Sequence, residues 1–224
     1  MWAMVPLKGF DQAKKRLASV LTVEERRALM LAMARDVLSA LSRSERLTGI
    51  LIVSRAPEAD ALAQTFGTER FSESPDADLS QALEQAGVYL AKQLHAAGTM
   101  IVPADVPLIE PAEIDALLTQ HEEVTVIPDG NNVGTNCLIC TPPNRIPYLF
   151  DGKSFKPHVA AASHDHITPK IAPSRGFALD IDTPGDLKVL LARGKTSQTG
   201  IYLERSGIAQ RLRDLDNVSQ DASF

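Results

Sequence analysis

The side chains most able to do chemistry in this 224-residue chain are acidic and basic groups placed just beyond apolar runs. In "TMIVPADVPLIEP" Asp105 follows the apolar run 98–103 and precedes a helix-like segment. A second acidic cluster, "GFALDIDTPGDL", supplies Asp180 and Asp182, two residues apart and so on one side of an extended segment, with Asp186 in the helix that should start at Pro184. Carboxylates from separate strand ends can share a magnesium ion, which favours one or two protein carboxylates completed by substrate phosphates and water. The opening "VPLKGFDQAKKRL" then offers the complement, with Lys8, Lys14, Lys15 and Arg16 beyond a first apolar strand, where they could hold phosphates. Blander roles stay open at this level. Asp105 also suits a loop or a remote helix cap, a cap suits Asp182 or Thr183 better than Asp180, and the basic residues also suit the solvated face of a helix start.

Other patterns carry less. "GKTS" at 194–197 matches the end of a phosphate-binding P-loop, but position 189 is Val where the motif needs Gly, and the context is helical. No GxGxxG follows the first strand. His164 and His166 in "HDH" have no nearby Cys or third His to complete a metal set, which favours a solvated turn. Cys137 and Cys140 have C-x2-C spacing, but inside an apolar strand they point to opposite faces, and no second pair exists. Packing is their expected role.

The elements that must position these residues follow from periodicity. Strand-like runs at 2–6, 49–54, 98–103, 124–128 and 135–141 are bounded by turn or polar residues. Between most of them lie helix-length segments at 22–41, 80–94 and 111–120; the first opens with Thr22 and Glu25 in capping-box spacing, the last with Pro111. Alternating strands and helices predict a three-layer α/β fold with a mostly parallel central sheet, whose ligands collect at the carboxyl ends of the strands. The expected organisation is one domain over 1–213 and a polar, partly disordered tail over 214–224. With 23 Lys and Arg against 28 Asp and Glu, the net charge of −5 argues against a nucleic-acid or anionic-membrane surface. No apolar stretch approaches the roughly 20 residues that span a bilayer, and no signal-peptide pattern opens the chain, so the expected location is cytoplasmic.

Five segments in this order, "VPLKGFDQAKKRL", "PADVPL", "GTNCLI", "FDGKSFKPH" and "LDIDTPGDL", resemble the guanylyltransferases of deazaflavin coenzyme (F-420) biosynthesis, within the wider group that includes the molybdenum-cofactor nucleotidyltransferases. The resemblance spans roughly residues 2–193. It implies a Rossmann-like nucleotidyltransferase fold and transfer of GMP from GTP to a phosphorylated three-carbon acid, with release of pyrophosphate. The acceptors known for the family are 2-phospho-L-lactate, phosphoenolpyruvate and 3-phospho-D-glycerate. A homodimer is also in keeping with it.

Carried over by position, the resemblance puts Lys8, Lys14 and Arg16 on the triphosphate, with Leu7, Leu79 and Ser80 completing the nucleotide contacts. It puts Asp105 and Asp182 on Mg2+, with Asp180 an alternative second ligand, and makes Lys8, Lys14, Arg16 and Asp105 the catalytic set. The acceptor acid falls to Thr135, Asp151, Gly152 and Ser154. Two departures stand out. Asp151 occupies a usual glycine position and Gly152 comes one residue late, so a carboxylate stands near a phosphorylated acid. Ser80 replaces an asparagine, which removes an amide contact to the nucleotide. Together with Cys137, where the family usually has Ala, the first departure suggests an altered acceptor pocket and inclines the expectation to 3-phospho-D-glycerate. A nucleotidyltransferase for a sugar phosphate or molybdopterin should show a G-G-x-S-x-R-M-G opening, which is absent here. A noncatalytic regulator on the same sheet would bind GTP without releasing pyrophosphate.

Overall fold

The computed structural model describes residues 1–7, 9 and 14–221, with the side chains of 216–221 left aside. Seven strands form one sheet: β1 (Trp2–Pro6), β2 (Gly49–Val53), β3 (Glu69–Phe71), β4 (Thr99–Ile101), β5 (Val124–Pro128), β6 (Thr135–Cys140) and β7 (Lys170–Ile171). Their order is β3-β2-β1-β4-β6-β5-β7. The pairs β1–β2, β1–β4, β2–β3 and β5–β7 are parallel, whereas β6 runs antiparallel to both β4 and β5. The sheet is therefore mostly parallel, as expected, with one reversed strand near its middle.

Side-chain alternation divides the core into two layers. Ala3, Val5, Ile50, Ile52, Met100, Cys137 and Ile139 face one side, and Met4, Leu51, Val53, Ile101, Leu138 and Cys140 the other. The first side is covered by α1 (Val23–Ser42), α2 (Glu58–Phe66) and α4 (Pro111–Thr119). The second is covered by α3 (Leu79–Gln93) and α5 (Phe155–His164). Helices on both faces make the three layers. Thr22 does cap α1 in a capping box, accepting from the Glu25 N–H at 3.2 Å while the Glu25 carboxylate accepts from the Thr22 N–H at 2.9 Å.

A third apolar cluster joins α1 to α6 (Pro184–Arg193), α7 (Gln198–Arg205) and α8 (Ile208–Asp221) through Leu29, Met33, Leu187, Leu203, Ile208 and Leu212. The expected domain boundary at 213 falls inside α8, which this cluster anchors at its start. Ile208, Ala209 and Leu212 are buried and seed a helix that the chain then continues. Cys137 and Cys140 are fully buried in opposite layers, and burial pushes the Cys140 thiol up to about 12, consistent with packing and not reactivity. In "GKTS", Gly194 ends α6 and Ser197 caps α7, so the segment is a helix–helix joint. The His164 side chain is exposed and meets Asp165.

Candidate active site

The candidate residues gather at the end of the sheet where β1 and β4 finish and the reversed β6 begins. Asp105 lies four residues beyond β4, and its carbonyl accepts from the Ile181 N–H at 3.0 Å. That backbone bond brings the segment 180–182 beside Asp105. Asp182 is free of capping duty because Thr183 caps α6, with Asp186 completing the capping box and also accepting from the Asp182 N–H at 3.1 Å. The choice left open between Asp182 and Thr183 as cap is thus resolved for Thr183.

Lys14 comes in from the β1 loop. Its backbone is left-handed (φ 54°, ψ 43°), an uncommon conformation for a lysine and one that persists where surrounding contacts over-determine it. It precedes a 3-10 turn, Lys15–Leu17, anchored by the fully buried Leu17. The Lys14 ammonium donates to Asp105 Oδ2 at 2.6 Å and to Asp182 Oδ1 at 2.7 Å, and its side chain is only 6% exposed. Burial alone would lower this ammonium's pKa, but the two carboxylates outweigh it and hold the group above its usual range. Arg16 stands 3.6 Å from Asp182 Oδ2 and is largely exposed. Lys14, which the resemblance puts on the triphosphate, is here the counterion of both expected metal ligands.

Asp180 is held differently. Its Oδ1 accepts from Asn136 Nδ2 at 3.0 Å, and the same amide donates to the Phe177 carbonyl at 2.8 Å. Burial raises the Asp180 carboxyl above its usual range, and the neighbouring charges of Asp105 and Asp182 add to that rise. Asp105, Asp180 and Asp182 line a cleft of about 930 Å3, together with Asp129, Asp186 and the basic residues Arg16 and Lys153. Among the described residues no group of three or more His, Cys, Asp or Glu is arranged as a metal cage. The donor set nonetheless fits a hard cation, since Asp105 Oδ1 is buried without a partner beside a second carboxylate.

The cleft lining also carries hydroxyls. Thr135, the first residue of β6, donates its N–H to Ser154 Oγ at 3.0 Å, and Thr135 Oγ1 lies 2.9 Å from Nδ1 of the fully buried His158. Gly152 has φ +87°, so this loop needs glycine at 152 and not at 151. The Asp151 carboxylate turns back to accept from the Lys153 N–H at 2.9 Å and is exposed. Gly152, Lys153 and Ser154 line the cleft, whereas Asp151 is not among its described lining residues, which relieves the expected repulsion. Ser80 Oγ accepts from the Phe150 N–H at 3.0 Å and so ties this loop to α3.

Of the residues expected at the site, Arg16, Leu79, Asp105, Thr135, Gly152, Ser154 and Asp182 line the cleft, and Lys14 stands behind its two aspartates. Leu7 does not reach it: the side chain is in the core, its N–H bonds the Val53 carbonyl at 2.9 Å, and its carbonyl accepts from Ser54 Oγ at 2.6 Å. Lys8 lies outside the described residues. Three supporting residues escape a sequence reading. Asn136 secures Asp180, His158 contacts Thr135, and Asp129 accepts from the N–H groups of Asn131, Val133 and Gly134 to shape the turn before β6. The turn-rich "PDGNNVG" was a signal for Asp129, because an aspartate there commonly bonds the backbone ahead of it.

The fold is that of the nucleotidyltransferases. The fold is similar to that of a solved protein from Desulfovibrio desulfuricans G20, described as a nucleotide-diphospho-sugar transferase, with a TM-score of 0.76, 18% identity, and coverage of 94% of this chain and 97% of that one. Residues 1–219 match the family model described as "Guanylyl transferase CofC like", and the chain belongs to that family of guanylyltransferases. It is 33% identical over 216 residues to the phosphoenolpyruvate guanylyltransferase of Conexibacter woesei, covering 95% of this chain and 96% of the relative. It is 32% identical over 220 residues to the 2-phospho-L-lactate guanylyltransferase of Methanobrevibacter ruminantium, covering 93% and 92%.

Proposed function

We propose that this guanylyltransferase transfers GMP from GTP to phosphoenolpyruvate or 2-phospho-L-lactate and releases pyrophosphate, as a step of F-420 biosynthesis. The observation that supports the reading is the cleft itself, lined by paired carboxylates backed by a buried lysine and by the Thr135 and Ser154 hydroxyls. The relatives named above act on those two acids by name, so the inclination to 3-phospho-D-glycerate is left without support. It rested on an altered pocket at 137 and 151, but Cys137 is core and the Asp151 carboxylate is turned to its own loop.

The chemistry needs no strong general base. The phosphate of the acceptor is largely dianionic near neutral pH, its second pKa being about 6. One of its oxygens attacks the α-phosphorus of GTP, the bond from that phosphorus to the β-phosphate oxygen breaks in line, and pyrophosphate leaves with the electron pair. The attacking oxygen becomes the bridge of the new diphosphate. Catalysis is then positioning and charge neutralisation. Thr135 and Ser154 donate hydrogen bonds to the acceptor, and Arg16 and Lys153 offset its charge and that of the triphosphate. Asp105 and Asp182 would hold a divalent cation, for which Mg2+ is proposed, and that ion would offset charge on the reacting phosphates.

A second cleft of about 400 Å3, which shares Pro6 and Leu79 with the first, suits the base. Glu73 lines it, and its Oε2 is buried without a partner. A carboxylate there accepts from the N1–H and amino group of guanine, an edge that adenine does not present. This offsets the amide lost at Ser80.

The test is one assay with GTP, Mg2+ and each acid in parallel, reading pyrophosphate. Release is expected with phosphoenolpyruvate or 2-phospho-L-lactate and not without an acceptor. No release with either acid overturns the reading.

A further inference from the structure

We infer that His158, which does not line the cleft, is a positioning residue that fixes the direction of the acceptor-binding hydroxyl of Thr135; the inference rests on the acceptor reading given above. The argument is one of hydrogen-bond polarity. His158 is fully buried in the first turn of α5. The Leu149 N–H donates to its Nε2 at 2.9 Å, so that nitrogen carries no proton. A neutral imidazole must then hold its proton on Nδ1, whose partner among the described residues is Thr135 Oγ1 at 2.9 Å. Thr135 Oγ1 therefore accepts from the ring, and its own hydrogen is free to point elsewhere. Thr135 lines the large cleft, so that hydrogen is offered to whatever oxygen sits there.

The same polarity recurs beside it. Ser154 Oγ accepts from the Thr135 N–H at 3.0 Å, which leaves the Ser154 hydrogen free as well. Each hydroxyl is loaded on its oxygen by a fixed N–H from within the protein. The wall thus presents hydrogen-bond donors and matches an oxyanion of the acceptor, carboxylate or phosphate. The Nε2 contact has a second effect, because Leu149 starts the loop that carries Phe150, Gly152 and Ser154. One buried ring holds both the orientation of Thr135 and the near end of that loop. Phe150 packs edge-on against it with ring centroids 4.9 Å apart.

A protonated His158, or the opposite tautomer, would aim an N–H at the Leu149 N–H and lose the anchor. A positioning role is therefore separable from a packing role by three readouts. Long-range 1H–15N correlation on the wild-type protein should show the proton on Nδ1 at neutral pH; a proton on Nε2 overturns the inference without any variant. His158→Phe keeps the ring volume and removes both bonds, and it should raise the KM for the acceptor acid by about 10-fold or more, with GTP affinity measured by calorimetry changed much less. His158→Asn, whose amide can replace Nδ1–H, should recover most of that loss, whereas His158→Gln, which can replace only Nε2, should not. In a cycle with Thr135→Val, the His158→Phe loss should be clearly smaller than in the wild-type background, the remainder being the lost anchor at Leu149. Additive losses, or equal loss of acceptor and GTP binding, would assign His158 to packing. A wild-type protein that releases no pyrophosphate with either acid refutes the functional reading instead, and the tautomer result stands apart from it.

Discussion

Lys14→Met is the most informative single change, because it should move two measurements in opposite directions. In the wild-type protein one buried ammonium is shared by Asp105 and Asp182, at 2.6 and 2.7 Å. Methionine keeps the length and apolar stem and removes the charge. Breaking a buried pair costs about 3–5 kcal/mol when the remaining charge is fully enclosed. Here the carboxylate side chains are 25% and 40% exposed, so solvent screening reduces the expected destabilisation to about 2 kcal/mol. On the proposed assignment Lys14 and a divalent cation would compete for the same two carboxylates. Removing the competitor should tighten Mn2+ binding to the nucleotide-free protein by about 5–30-fold, the equivalent of 1–2 kcal/mol. Electron paramagnetic resonance of free Mn2+ reads that directly. Turnover of GTP should fall in the same variant by roughly 100-fold, since the ammonium released from the aspartates is then no longer available to the phosphates. A folded Lys14→Met protein whose Mn2+ affinity is unchanged or weaker would refute the competition, and with it the assignment of Asp105 and Asp182 to a metal.

Two further outcomes follow from the same geometry. Burial holds the His158 imidazole down at about 4, against the opposing charge of Asp151. Above pH 6.5 the ring is neutral folded or unfolded; as the pH falls toward 4 only the unfolded chain takes the proton, so stability should drop by about 3 kcal/mol over that window, and His158→Phe should flatten this part of the profile in denaturant titrations. For the second ligand, Asp182→Asn should weaken Mn2+ binding at least as much as the roughly 10–100-fold typical of lost outer partners, and Asp180→Asn, whose carboxylate is already engaged by Asn136, should weaken it less. Equal losses would make Asp180 a ligand as well.

The sequence shows some of this plainly and conceals the rest for physical reasons. The strands β1, β2, β4, β5 and β6 are legible because each is an apolar run with turn residues at its ends. β3 and β7 are three and two residues long, and "ERF" and "KI" carry charge at an exposed edge, so neither has a periodicity to read. The reversal of β6 was legible in principle: only residues 129–134 separate it from β5, and a parallel crossover needs a dozen or more. The meeting of Asp105 with Asp182 was not, because it depends on a backbone bond from Ile181 across a long stretch of sequence. His158 is hidden for a similar reason. It looks like one more residue on the inner face of a helix, and only the positions of Leu149 and Thr135 reveal what its two nitrogens do.

Charge explains why the parts are arranged as they are. The described lining of the main cleft has Asp105, Asp129, Asp180, Asp182 and Asp186 against Arg16 and Lys153. Asp129 and Asp186 are spent on backbone N–H groups, which leaves three carboxylates where the proposed reading brings a triphosphate and a phosphorylated acid together. Such a cleft repels both substrates unless cations enter with them. Lys14 answers part of that charge from within the chain, buried where it neutralises two aspartates at once. A left-handed backbone at Lys14 puts the ammonium there, and the 3-10 turn pinned by Leu17 keeps it in place. On the proposed reading the acceptor side combines the exposed Lys153 with the hydroxyls of Thr135 and Ser154. Lys153 supplies charge without direction, whereas the hydroxyls, if His158 and the Thr135 N–H load their oxygens as inferred above, would offer their hydrogens in a direction set before the anion arrives.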